Sequence, residues 1–160
     1  ELRDLRIALA RAGVGVPVAA DESIRKAEDP LRVRDLEAAD LIVVKVAPLG
    51  GVRSALRVVE ECGLPAVVSS ALDTSVGISS GVALAAALPA LDHACGLGTV
   101  ALLEGDVTND PLLPVGGSLD AGRVAVDAAL LDRWAATPAR VAWWADRVGD
   151  CHAVLAGTRR

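Results

Sequence analysis

Three observations on this sequence predict a parallel α/β fold. Four short apolar runs, 16–20, 41–46, 66–68 and 93–95, start about 25 residues apart, the length of one strand plus one helix and its turns. Helical patterns lie between them. Each run is too apolar to leave a face in water, which calls for a sheet covered by helices. Two architectures meet these conditions, an open doubly wound sheet and part of a closed barrel. A full barrel takes eight strands and typically about 250 residues, so four strands would make half of one.

The elements follow in order. The first run leads into Asp21-Glu22-Ser23. Asp29-Pro30 is expected to supply the N-cap and first position of a helix through Val33 and Leu36. The second run, Leu41-Ile42-Val43-Val44-Lys45-Val46, carries a lysine near its end. Val52, Ala55, Leu56 and Val59 then follow helical spacing, with Arg53, Arg57, Glu60 and Glu61 off that stripe. Gly63 is placed as a C-cap and Pro65 closes the turn before the third run, which ends in Ser69-Ser70. From Thr74 to Leu91 no charge occurs. That stretch approaches spanning length but holds Ser, Thr, Gly and Pro, and reads as a helix packed inside a protein rather than a membrane span. The fourth run leads into Gly96-Leu97-Gly98-Thr99, after which the rhythm stops. Residues 105–122 read as loop, and two helical stretches follow, near Asp127–Ala135 and around Trp143-Trp144. Trp134, Trp143 and Trp144 are expected to pack this C-terminal arm onto the body. The expected division is residues 1–112 as the α/β part and 113–160 as loop and helical arm.

The totals narrow the partners. Net charge is −5 with a pI near 5.0 and no basic cluster, which excludes nucleic acid and anionic membrane as expected partners. Cys62, Cys95 and Cys151 have no metal-type spacing and read as reduced, mostly buried thiols of a cytoplasmic protein. The sequence contains no Met and begins at Glu1, from which a piece of a longer protein is expected.

In parallel α/β folds the active site forms at the carboxyl ends of the strands, and the polar residues of this chain gather there. Lys45 shares a strand face with Leu41 and Val43. A lysine so placed is either paired and used, or carries its ammonium out to solvent at the strand end. Asp21-Glu22 is either a hard-cation ligand with a neighbour or a helix-capping cluster. Ser69-Ser70 could offer hydroxyls and amides to an anion, helped by the N-terminus of the following helix. No G-x-S-x-G surrounds Ser69, which argues against a serine nucleophile. Gly96-x-Gly98 lacks the third glycine of a dinucleotide fingerprint and reads as close backbone approach.

The run Ala19-Ala20-Asp21-Glu22-Ser23, then Val43-Val44-Lys45-Val46, then Val68-Ser69-Ser70-Ala71-Leu72-Asp73-Thr74-Ser75-Val76-Gly77 resembles the second half of an enolase-superfamily barrel. The Ser-Ser stretch, Ala47-Pro48-Leu49-Gly50-Gly51 and Gly96-Leu97-Gly98-Thr99 are similar to the o-succinylbenzoate synthase branch of that superfamily, over roughly residues 1–115. The resemblance implies the C-terminal half of a (β/α) barrel. It implies a lyase of menaquinone biosynthesis that performs a Mg²⁺-assisted syn-dehydration, 2-succinyl-6-hydroxy-2,4-cyclohexadiene-1-carboxylate losing water to give o-succinylbenzoate. Under it, Lys45 would hold the enediolate by its charge, and Asp21 would be the third of three carboxylate ligands of Mg²⁺. Glu22 would stand behind Asp21, while Ser69, Ser70 and Gly96 would line the pocket for the succinyl tail. The family's Lys-x-Lys motif and first two metal carboxylates are absent, as is most of the capping domain. The missing N-terminal half of the same protein is therefore an expected partner, and the chain alone is expected not to turn over. A cycloisomerase, a dipeptide epimerase and an N-acylamino acid racemase share the Asp and Lys. A flavodoxin-like binding module is the reading without chemistry.

Overall fold

The computed structural model of the chain describes residues 1–157. Helix α1 (Leu2–Arg11) precedes three strand–helix units: β1 (Ala19–Ala20), α2 (Asp29–Asp35), β2 (Leu41–Lys45), α3 (Val52–Cys62), β3 (Ala66–Ser69) and α4 (Ser75–Ala87). A 3₁₀ turn at Thr99–Leu102 follows, then α5 (Ala128–Arg133) and α6 (Pro138–Leu155). The strands form one parallel sheet in the order β1-β2-β3, with Ala20 opposite Ile42 and Lys45 opposite Ser69.

Burial decides between the two architectures. Residues facing one side of the sheet, Ala20, Ile42, Val44 and Val68, are all 0% exposed beneath the helices. Val43, Lys45, Val67 and Ser69, on the other side, are only partly buried. Helices thus cover one face, and strand order never reverses as it would at the switch point of a doubly wound sheet. This is the outer-helix, inner-face arrangement of a barrel wall.

The fourth expected strand does not form. Residues 93–95 lie outside any strand, and pairing reaches only one residue further along, at Gly96. The Gly96 amide donates to Val68 O (2.9 Å) and its carbonyl accepts from the Ser70 amide (3.2 Å), the alternation of a parallel ladder one rung long.

Helix boundaries follow local chemistry. α3 begins after Gly51 and ends at Gly63, which takes the left-handed φ of +70° expected of a C-cap. Asp29 does not cap α2. It is the first helical residue, and its carboxylate reaches back to the Arg25 (2.8 Å) and Lys26 (3.0 Å) amides, closing the preceding turn while Pro30 opens the helix. Those amide bonds hold the Asp29 carboxyl below its usual range. The uncharged stretch forms α4, whose Ser75, Ile78, Val82 and Leu84 are buried. Among the described residues no helix is long and apolar enough to cross a membrane.

α1 had no counterpart in the sequence pattern. It is tied to the body by Arg6, whose Nε donates to Asp40 Oδ1 (3.0 Å) while Asp40 Oδ2 accepts from the Val18 amide (2.7 Å). The Arg6 guanidinium first, and the Val18 amide second, hold the Asp40 carboxyl below its usual range. The C-terminal arm differs from expectation. Trp134 does seat against Gly105, where a side chain would collide with the indole. Trp143 and Trp144 do not pack onto the body. They are 49% and 54% exposed and meet each other edge to face at 4.7 Å. Of the three thiols only Cys62 is buried. Cys95 is half-buried and Cys151 exposed.

Candidate active site

The carboxyl ends of β1, β2 and β3 and the rung at Gly96 form one rim. Lys45 closes β2, and its ammonium donates to Asp21 Oδ1, the residue after β1. The side chains remain 24% and 35% exposed, so the pair stays reachable from solvent. Asp21 therefore caps no helix; its carboxylate goes to the lysine one strand away. Glu22 lies exposed beside it, and its carbonyl accepts from the Arg25 guanidinium (3.0 Å).

Ser69 sits in register with Lys45, and Gly96 continues that layer. A Cβ on Gly96 would come within 2.8 Å of Ser69 Oγ, so the close approach inferred from Gly96-x-Gly98 is real at its first glycine. The Ser70 hydroxyl bonds Gly96 O (3.1 Å) and Thr99 Oγ1 (2.7 Å). Ser69 Oγ reaches Gly96 O at a long 3.4 Å. Lys45, Ser69, Ser70, Asp73, Gly77 and Ser80 line a cleft of about 120 Å³. Thus Lys45, Asp21, Ser69, Ser70 and Gly96 meet at one rim, with Glu22 at its outer edge.

The loop between β3 and α4 forms one wall and is tightly built. Asp73 accepts from the Ala71 amide (3.1 Å), and Leu72 takes a φ of +62° that costs a side-chain-bearing residue roughly 1 kcal/mol. A Cβ on Gly77 would fall 2.5 Å from Asp73 Cβ, so glycine there lets the loop fold onto the first turn of α4. The N-terminus of α4 is not open to an anion. Asp106, only 8% exposed, accepts from the Ser75 amide (3.1 Å), the Ser75 hydroxyl and the Val107 amide (2.8 Å). This carboxylate caps α4 from 31 residues away in sequence, and Ser75 Oγ in turn accepts from the Leu112 amide (2.7 Å). The helix-dipole contribution expected at Ser69-Ser70 is thereby taken up by Asp106. Sequence reasoning missed this cap, since only a buried serine opening an uncharged helix hints at it.

A Mg²⁺ ion needs hard oxygen ligands in near-octahedral array. Among the described residues no three His, Cys, Asp or Glu side chains come together, and the Asp21 carboxylate is paired with Lys45. The residues of this chain do not fit a Mg²⁺ site by themselves.

A one-sided parallel barrel wall with a lysine–carboxylate pair on its rim defines a class of (β/α)-barrel fragment. The profile of the enolase C-terminal domain-like family matches residues 1–125, and the chain belongs to that family. It is 68% identical over 120 residues to the o-succinylbenzoate synthase of Thermobifida fusca (strain YX), a match covering 75% of this chain and 38% of that protein. It is 54% identical over 145 residues to the o-succinylbenzoate synthase of Mycobacterium tuberculosis (strain ATCC 25618 / H37Rv), covering 91% and 44% respectively. The chain thus spans well under half the length of these curated relatives. Among solved structures, the muconate lactonizing enzyme from Pseudomonas putida superposes with a TM-score of 0.70 at 25% identity, over 82% of this chain and 39% of that one. The 2-chloromuconate cycloisomerase of Rhodococcus opacus 1CP shares the fold, with a TM-score of 0.71 at 24% identity over 85% and 38%.

Proposed function

We propose that this chain is the C-terminal barrel half of an o-succinylbenzoate synthase, with residues 1–112 as barrel and 113–160 as arm, acting as part of a longer cytoplasmic protein. The observation that carries the proposal is the rim itself. Lys45 and Asp21 meet there beside the Ser69–Ser70–Gly96 layer, in a chain 54–68% identical to proteins of that name. A cycloisomerase is the runner-up, supported by the solved structures but at 24–25% identity.

The reaction is loss of water from 2-succinyl-6-hydroxy-2,4-cyclohexadiene-1-carboxylate in menaquinone biosynthesis. A proton leaves the carbon bearing the carboxylate, hydroxide leaves the adjacent carbon, and the ring becomes aromatic. Negative charge builds on the substrate carboxylate as the proton departs. Lys45 supplies a fixed positive charge for it, and a charge preorganised where anion develops contributes more than one recruited from water. Ser69, Ser70 and Gly96 shape the wall for the succinyl tail. The proton acceptor is not among these residues: the sequence holds two lysines, Lys26 and Lys45, and no Lys-x-Lys. Mg²⁺ belongs to the proposal only for the longer protein, where Asp21 is the ligand this chain would contribute and Glu22 stands behind it.

The test is turnover by the longer protein, after the gene is read upstream of the Glu1 codon. Dehydration that depends on Mg²⁺ and drops at least about 1,000-fold in Lys45→Ala supports the proposal. Activity of the 160-residue chain alone, or a longer protein inert toward this substrate, overturns it.

A further inference from the structure

A hydroxyl carries one proton, so the groups able to donate to a ligand in the cleft can be counted. The Ser70 proton is committed to Gly96 O or Thr99 Oγ1, both within the protein. The Ser69 proton is directed at Gly96 O, and Asp73 is an acceptor folded back on the Ala71 amide. Ser80 differs from these. It lines the same cleft from α4, and its hydroxyl has no hydrogen-bond partner among the described residues. A helical serine without a ligand usually bonds back to a carbonyl three or four residues earlier. For Ser80 the carbonyls three and four residues back are Gly77 O and Val76 O; Val76 O takes the Ser79 hydroxyl at 2.7 Å, and the Ser80 hydroxyl bonds neither. Gly77 and Gly81 flank Ser80 and hold the helix close on both sides. A Cβ would come within 2.5 Å of Asp73 at the first and 2.6 Å of Leu97 at the second. Ser80 is thus held at the cleft between two close packing contacts, with its hydroxyl bonded to no described residue.

We propose that Ser80 is a further specificity-determining residue, donating its hydroxyl proton to an oxygen of the substrate's acyl tail. The inference rests on the dehydratase reading above and adds a donor that Ser69 and Ser70 do not readily supply. A site that hydrogen-bonds an oxygen discriminates strongly against a ligand lacking it, because the donor is then left unpaired.

The experiment is steady-state kinetics of the longer protein with Ser80→Ala and Ser80→Thr, wild type assayed alongside. Wild-type turnover tests the dehydratase reading; the variants test Ser80. Ser80→Ala is expected to raise KM about tenfold while lowering kcat by a much smaller factor, as for loss of a hydrogen bond to a charged or carbonyl oxygen. The KM effect should shrink with a substrate whose tail carboxylate is replaced by a methyl group if that carboxylate is the acceptor. It should shrink with a tail lacking the ketone if that carbonyl is. Ser80→Thr, which keeps the hydroxyl, should recover much of the loss. A KM within twofold of wild type for Ser80→Ala overturns the proposal. So does a KM rise that persists unchanged with both altered tails, which would indicate loss of packing alone.

Discussion

The helices of the α/β body and those of the C-terminal arm carry comparable apolar side chains and meet opposite fates. α4 buries Ile78, Val82 and Leu84, whereas α6 buries nothing and leaves Val141, Trp144, Val148 and Leu155 exposed. The difference lies in connectivity. Each of α2 and α3 sits between two parallel strands, and the right-handed crossover from one strand to the next forces the helix back onto the sheet. α4 follows β3 and returns to the rung at Gly96, so it is held in the same way. No strand follows α6 among the described residues, and apolar content alone does not bring a helix down onto a core.

The sharpest way to break this contrast is through two of the three thiols, Cys62 in the body and Cys151 in the arm. Cys62 is 2% exposed, its thiol meets Pro30 O, and burial pushes its pKa up, so both access and thiolate fraction oppose its reaction. Cys151 is exposed on α6. An alkylating reagent is expected to modify Cys151 at least about 1,000-fold faster than Cys62, which reacts only through opening of the body. Mass-resolved labelling of the native protein checks it; comparable rates would show that the body opens as readily as the arm. Substitution comes next. Ile42→Ala, at a position with no exposure, is expected to cost about 3 kcal/mol in urea denaturation. In the 160-residue chain Trp144→Ala should change the midpoint within error, and a large loss there would mean that α6 is covered.

How much of this could be read from the sequence differs with the kind of interaction. The body was legible because its strands and helices repeat with a fixed spacing and its caps are local, as at Gly63. The rim was legible in part: strand spacing gathers the polar residues at the carboxyl ends of neighbouring strands, but it left open whether Lys45 and Asp21 would pair, as they do. What depends on contacts between distant residues was not legible. The fourth run had the composition of a strand, yet only Gly96 pairs, because the neighbouring side of that segment has no strand among the described residues to pair with. Asp29 had the local signature of an N-cap and turned backward to Arg25 and Lys26 instead. Asp106 lies in a Gly- and Pro-rich loop with nothing to mark it as the cap of a helix that starts 31 positions earlier.

That long-range cap supplies the next test. Asp106→Ala leaves the Ser75 amide, the Ser75 hydroxyl and the Val107 amide without their acceptor in a buried setting, and is expected to cost about 2 kcal/mol. Asp106→Glu, which keeps the charge, should recover part of it. A loss below about 0.5 kcal/mol for the alanine variant would mean that water satisfies these donors and that α4 is held by its apolar face alone.

The smallest expected effect concerns the joint between α1 and the body, which is held by charge where α2 to α4 are held by burial. Asp40 has its folded-state pKa depressed by Arg6 and the Val18 amide. A carboxyl with a folded pKa below its unfolded value binds fewer protons when folded, so its contribution is fully present above the unfolded pKa, near about 3.9, and is lost as pH falls through the folded value. Both Arg6 and Asp40 keep about a third of their side-chain surface in water, so solvent screening keeps the effect small. Arg6→Ala is therefore expected to lower the urea midpoint modestly at pH 6 and by less at pH 3, where part of the contribution is already lost. High salt should shrink the pH 6 difference, because exposed charges are screened within a few ångströms at molar ionic strength. Equal losses at both pH values would show that the Arg6 stem, packed along α1, holds the joint by contact and that the ion pair adds little.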